Sequence, residues 1–353
     1  MKLWMYVVRR LLILIPTLLG LTFLMFILTH AGGTHILIAE YLNPRLPETA
    51  KNAATQAIIT RFHLGDPIYV QYFYWLWPVL QGDLGFTITP IPLPVTTAIA
   101  LFMPNTLMLT IVASALTWIL AVPIGVYSAV RRDSVLDQGV RVSSFTLYSM
   151  PIFLIGFILL VGLGIYIQPA IGNVNPALLP QLRGTSWFDS TISVSYPTHI
   201  LFFDAALHGY WNVAWDALVH ALLPGLSLTL ALLAGIIRIL RASMLEVLDQ
   251  DYIRLARAKG VPERFVNNLH ARKNALLPTV TTFGYLVAGL LGGAVVIEYL
   301  FNYKGIGWWT TQAFYAQDVG AIMGSTFVFG IILVFTTLLL DVLYALLDPR
   351  IRY

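Results

Sequence analysis

The sequence predicts an all-α integral membrane protein with six transmembrane helices. Its N- and C-termini are cytoplasmic, and extracytoplasmic elaborations follow spans one and three. Three observations predict this. Only 11% of the 353 residues are charged and 58% are hydrophobic, whereas soluble domains carry about a quarter charged residues. Six segments stay apolar for about the 20 residues that a helix needs to cross a bilayer: 11–28, 107–130, 142–167, 217–240, 276–300 and 321–347. Finally, Lys and Arg are confined almost wholly to alternate connections. Of the 21, only Arg45, Lys51, Arg61, Arg183 and Lys304 fall on the outer side. That asymmetry sets the orientation.

The first span follows a basic stretch, "MKLWMYVVRR". Its apolar run is longer than the 7–15 residues of a signal-peptide core and no A-x-A site follows, so it reads as an uncleaved span. An outer region, 29–100, comes next. Its "IYVQYFYWLWPVLQGDLG" is too short to cross and is dense in Tyr and Trp, which marks an interfacial or lid helix. Span two carries a polar stripe of Asn105, Thr106, Thr110 and Ser114, which either faces a pathway or bonds to neighbouring helices. Pro16, Pro123, Pro151 and Pro224 lie in or near spans, where packed neighbours satisfy the carbonyls they free. The second outer segment, 168–216, ends in "HILFFDAALHGYWNVAWDAL". His199, Asp204 and His208 argue against burial in lipid, so this is read as a folded outer insertion. Span five holds Gly284, Gly289, Gly292 and Gly293, either for close helix packing or as a pathway lining with room for solute. Glu298 and Asp341 sit near span ends, where a structural or topological role is expected.

Between spans four and five lies the most charged segment, 243–275, containing "EVLDQDYIRLARAKGVPERFVNNLHARKNA". Asp249 or Asp251 is placed to cap a helix. Tyr252 to Lys259 then reads as a short helix with a thin apolar stripe of Ile253, Ala256 and Ala258. Gly260 supplies the left-handed stop, and Pro262 with Glu263 opens a second helix. Helices shorter than about 12 residues are marginal in water, so the first piece requires tertiary or quaternary support. The plain alternative is a basic loop that only sets topology and leans on lipid phosphates.

Several chemistries are excluded or unsupported. There is no cysteine, hence no disulfide, thiol nucleophile or Cys-zinc site. The seven histidines show no metal-ligand spacing. No Ser/His/Asp order, H-E-x-x-H or G-x-x-x-x-G-K-[ST] is present. A net charge of +4 requires no nucleic-acid partner.

"DYIRLARAKG" followed by "HARKNALLP" resembles the cytoplasmic coupling loop of ABC-importer permeases, in the dipeptide/oligopeptide/nickel class and its B-type subunit. The resemblance covers most of the chain. It includes "RRLLILIPTLLGLTFL", "GDPIYVQYFYWLWPVLQGDLGFT", "PNTLMLTIVASALTWILAVPIGVYSA", "SMPIFLIGFILL", "ALLPGLSLTLALLAGIIRILRASMLEVLDQDY", "VVIEYLFNYKGIG" and "LLLDVLYALLDPRIRY". Departures are "LTHAGGTH" where a Pro-Gly-Asp run is usual, Lys304 in place of a proline, Arg254 where many relatives have Glu, and a long 168–216 insertion.

The resemblance implies one permease domain over residues 1–353 in the cell (inner) membrane, forming half of a solute pathway. Its partners would be a homologous second permease, two ATP-binding subunits, a solute-binding protein and membrane lipid. ATP and magnesium would be bound by the ATPase subunits and no cofactor by this chain, which is not itself an enzyme. The class carries dipeptides and oligopeptides, nickel and oligosaccharides. Asp251, Tyr252, Arg254, Ala256, Arg257, Ala258, Lys259 and Gly260 would form the ATPase-coupling site. The segments 69–77 and 170–216 are candidates for receiving the binding protein. The rival expectation is an ATP-independent channel or secondary transporter, which would call for a charge in mid-span.

Overall fold

The computed structural model describes residues 3–30, 38, 42, 47–162 and 198–347. It is helical almost throughout. In chain order come α1 (Leu3–His30), α2 (Glu48–Arg61), α3 (Ile68–Leu80), the short strands β1 (Phe86–Thr87) and β2 (Leu93–Pro94), α4 (Val95–Val130), α5 (Val135–Ser149) and α6 (Ile152–Val161). Further along the chain come α7 (Leu201–Leu207), α8 (Trp211–Leu248), α9 (Asp251–Ala258), α10 (Glu263–Phe265), a π-helical turn (Val266–Ala271), α11 (Arg272–Gly293), α12 (Val295–Leu300), α13 (Ile306–Ala316) and α14 (Val319–Leu347). The two strands form an antiparallel ladder pairing Phe86 with Pro94 and Thr87 with Leu93.

Apart from breaks at Met150–Pro151 and at Ala294, every apolar segment read from the sequence is helical where it is described. Among the described residues, three helices are long and apolar enough to cross a membrane, or four when the bent pair α5–α6 counts as one. Pro16, Pro123 and Pro224 lie inside α1, α4 and α8.

Three expectations need correction, and a fourth is only partly described. The third span is not one straight helix from 142. Helix α5 begins at Val135, inside the expected inner loop, and meets α6 at 104°. Met150 is extended and Pro151 caps α6, because the proline ring disfavours helical geometry in the residue before it. Second, α4 starts at Val95 rather than 107 and α8 at Trp211 rather than 217. These helices are about 54 and 57 Å long at 1.5 Å per residue, well beyond a hydrocarbon core of about 30 Å. Polarity marked the span ends in the sequence, but polarity alone does not stop a helix. Third, 276–300 breaks at Ala294 into α11 and α12. Finally, of the outer insertion, residues 168–197 lie outside the described residues. Its end holds α7, where Asp204 is fully buried and accepts from the Thr198 amide and hydroxyl at 3.0 and 2.7 Å.

The core is built where α4 packs along α8. Met108, Leu109 and Val112 meet Leu223, Leu228 and Leu232, with Leu290, Ile297 and Phe301 closing the cluster. Gly125 lets α4 approach Leu240. On the other side α14 packs against α1 and α11. The aromatic outer helix α3 buries Tyr72 and Leu76, and the Tyr72 hydroxyl lies 2.8 Å from Thr22 of α1. Its other face leaves Tyr69, Phe73 and Trp77 exposed.

Candidate functional site

The charged element between α8 and α11 follows from a few local choices. Helix α8 ends at Leu248, and Gln250 is extended, so the chain turns before α9 begins. Neither aspartate caps α9. Gln250 occupies the cap position without a side-chain bond, and Asp251 sits in the first turn, where its charge favours the helix dipole. The far end is a complete Schellman cap. Gly260, at φ +77°, donates its amide to the Arg257 carbonyl (2.9 Å) and Val261 donates to Ala256 (3.1 Å). Pro262 then caps α10, and the π turn leads into α11. Wide helical turns of this kind recur at functional sites.

Ile253 anchors α9. It is fully buried among Ala129 of α4, Leu240 and Met244 of α8, and Val266, Ala271 and Ala275 at the root of α11, with Ala256 half-buried beside it. The short helix is thereby held against the inner ends of three long helices. This answers how eight residues stay helical in water. Ala258 is exposed, so the expected stripe narrows to Ile253 and Ala256. Replacing Ile253 by alanine removes the anchor, at a cost of about 2–5 kcal/mol for a buried aliphatic. Amide hydrogen exchange across 251–260 should rise by orders of magnitude while α4 and α8 keep their protection.

The outward face of α9 is mixed. Arg254, Lys259 and Gly260 are exposed, as is Tyr252. Asn274 donates to the Tyr252 hydroxyl at 3.0 Å. Arg257 does not point free. It pairs with Glu263 across the bend at 2.8 Å, while Arg254 reaches Asp251 at 3.6 Å. Between these charges Leu255, Phe265 and Leu269 are 55%, 45% and 58% exposed. Three large apolar side chains on one small basic element exceed the scattered surface hydrophobics of an ordinary protein. All eight coupling candidates thus lie on one element, and Leu255, Phe265 and Leu269 are additional residues that sequence reasoning passed over. Their signal was a large apolar residue set among charged and polar neighbours, in "IRLARA" and "ERFVNNLH".

A clamp lies just above this element. Asp137 of α5 is fully buried and takes two bonds from Arg241 of α8, at 2.7 and 2.8 Å. It also accepts from Ser128 of α4 and from the Asp133 amide. One carboxylate joins three helices and the loop at their inner ends. The local sequence carried a sign of it: Ser134 and Asp137 form a capping pair, with the Asp137 amide donating to the Ser134 hydroxyl, in the Ser-x-x-Asp pattern of helix starts.

The polar stripe of span two and the glycines of span five have mixed surroundings. Asn105 donates to the Lys304 carbonyl at 2.7 Å and Thr106 to Glu298 at 2.6 Å. Glu298 is fully buried and accepts the Trp308 amide at 3.0 Å, so it caps α13 from a distance. Gly305 and Gly307 leave the space it occupies, since a Cβ on either would collide with its carboxylate. This bears out the structural role expected for Glu298. Asp318 acts similarly at α14: it accepts from Ala321 and ties Thr87, Ile88 and Thr89 of the outer loop to that helix. Thr110 is buried and Ser114 partly so, and neither hydroxyl has a partner among the described residues. Gly284 packs against Leu340, whereas Gly289 is exposed to open space. Gly292 and Gly293 lie in the last turn of α11, and their surroundings, like the side chain of Asp341, lie outside the described residues. Among the described residues no group of three His, Cys, Asp or Glu converges to hold a metal ion.

Long apolar helices joined to a shaped, basic and partly apolar element suit the membrane subunit of a transport machine. Residues 121–353 match the family described as "binding-protein-dependent transport system inner membrane component". The chain is 35% identical to the oligopeptide transport system permease protein AppB of Bacillus subtilis (strain 168), covering 99% of both chains. It is 33% identical to the dipeptide transport system permease protein DppB of Escherichia coli (strain K12), covering 99% of this chain and 98% of that one. It is 35% identical to the DppB protein of Alkalihalophilus pseudofirmus, over 99% of both. The chain belongs to the family of binding-protein-dependent transport system inner membrane components and is a permease subunit of an ABC importer.

Proposed function

We propose that this permease crosses the cell (inner) membrane six times with both ends inside, and forms half of a pathway for dipeptides or oligopeptides. A homologous second permease supplies the other half. Two ATPase subunits, which bind ATP and magnesium, receive the coupling element, and a solute-binding protein delivers cargo to the outer face. The cargo class rests on the printed names of the full-length relatives. The exposed aromatic side of α3, at Tyr69, Phe73 and Trp77, and the 170–216 insertion are the proposed receiving surfaces.

The observation that carries the mechanism is the two-sided α9. Ile253 roots it in the spans, and Leu255 with Phe265 and Leu269 face away from them. When two ATPase subunits close, a helix gripped on its outer face and rooted on its inner face moves the ends of α4, α8 and α11 together. Asp137 and Arg241 carry that motion to α5. Apolar anchors in a partner's cleft supply most of such an interface's energy. Leu255→Glu is therefore expected to remove the ATPase subunits from a mild-detergent pull-down while the second permease stays bound. Retention of the ATPase subunits at the natural level would refute this role for α9. Solo recovery of the natural chain under several mild conditions would favour an ATP-independent carrier.

A further inference from the structure

We propose that the groove between α5 and α8 is a binding site for an anionic phospholipid of the inner leaflet, with its phosphate held by Arg238. The groove encloses about 270 Å³ and is lined by Val140, Ser144 and Tyr148 on one side and Ile237, Arg238 and Arg241 on the other. Arg141 also borders it.

The charges there do not cancel. Arg241 is committed to Asp137 through two bonds. Arg141 leans on Asp133 and Asp137 at 3.6 and 3.5 Å. Arg238 has no acidic partner among the described residues. Its guanidinium lies over the Tyr148 ring, 4.4 Å from the centroid. Stacking of this kind occupies the face of an arginine and leaves its edge N–H groups available for a phosphate.

Depth and shape select the occupant. Arg238 lies three residues, about 4.5 Å of helix rise, nearer than Arg241 to the middle of the expected span 217–240. An arginine at that level reaches a headgroup phosphate by extending toward the interface. Beside it α5 turns large apolar side chains outward, with Val142 67% and Phe145 73% exposed. A free anion would satisfy the arginine and leave this face uncovered, and a neutral chain would do the reverse. A phospholipid carries both parts, and basic pockets between helices on the cytoplasmic side are recognised lipid headgroup sites.

The assembled transporter would be purified in mild detergent and its retained phospholipid read by native mass spectrometry. Thermal midpoints would be compared in vesicles of phosphatidylcholine alone and with added phosphatidylglycerol. The natural chain is expected to retain phosphatidylglycerol and to gain a raised midpoint from it. Arg238→Gln is expected to retain it about fivefold less well, the factor matching about 1 kcal/mol per arginine at an anionic surface, and to lose the shift. Arg272→Gln, on the exposed first turn of α11, is expected to behave as the natural chain. If Arg238→Gln does not accumulate, Ser144→Trp fills the groove without touching a charge and is expected to displace the lipid. Equal retention and an equal shift in the groove variant would overturn the proposal. So would loss of the second permease from Arg238→Gln with lipid retention intact, which would make the groove a subunit interface. A changed transport KM with lipid retention intact would overturn it too, as the mark of a solute path.

Discussion

Gly260→Leu is expected to reduce ATP-driven uptake to background while leaving the amount of membrane-inserted protein unchanged. Gly260 holds φ +77° and completes the Schellman cap of α9. A side chain there strains the backbone by about 1–2 kcal/mol, and nothing lies within 4 Å of where its Cβ would stand. The folded chain therefore accommodates the leucine, at the expense of a slightly loosened α9. The larger effect comes from outside. Gly260 is exposed on the face assigned to the ATPase cleft, and a leucine there holds the partner away from the backbone. Gly260→Ala separates the two contributions, since it carries the strain with little bulk and should retain part of the uptake. Uptake and ATPase co-purification, measured at equal membrane abundance, check both variants. Normal uptake by a well-inserted Gly260→Leu protein would mean that the glycine serves only the turn.

Arg241→Ala is expected to be the most destabilising single substitution at the inner ends of the helices. It leaves the fully buried Asp137 with Ser128, the Asp133 amide and the more distant Arg141. Removing one member of a buried ion pair costs about 3–5 kcal/mol, most of it from the charge left behind. Two consequences distinguish this from loss of packing. The double variant Asp137→Ala/Arg241→Ala should be more stable than Arg241→Ala alone, because no orphaned carboxylate remains. The coupling energy of the cycle should be large, as it is for residues in one network. Thermal unfolding of the purified transporter in detergent would give both. A double variant as unstable as the sum of the two singles would show that the residues act independently.

Much of the coupling element was legible before any coordinates. Gly260 announced a left-handed stop and Pro262 a new start, because both residues restrict the backbone whatever surrounds them. Ile253 was visible as the apolar residue of a short charged helix. What surrounds Ile253 was not: its neighbours come from α4, α8 and α11, which are far apart in the chain. Arg257 illustrates the same limit. As a cation on a docking helix it looked free, but its partner Glu263 faces it only because the Gly260–Pro262 bend folds the chain back. The polar stripe of span two was read with two outcomes open, and Asn105 and Thr106 were directed to one of them by Lys304 and Glu298, roughly two hundred positions away.

By itself the sequence determined the class of the protein, the helical character of its apolar segments and the helix–Gly–Pro–helix punctuation of 251–263, and it set the expectation for their orientation. These depend on transfer of apolar groups out of water, on the side preference of Lys and Arg, and on the local stereochemistry of Gly and Pro. Each is a property of a short stretch of chain. Tertiary structure alone decided the 104° break at Pro151, the joining of helix ends through Asp137, the remote capping by Glu298 and Asp318, and the unmatched charge of Arg238. A buried carboxylate or an unpaired guanidinium is defined by what comes within a few ångströms of it. In a helical membrane protein those neighbours come from other spans, whose order along the chain does not state which side chains meet.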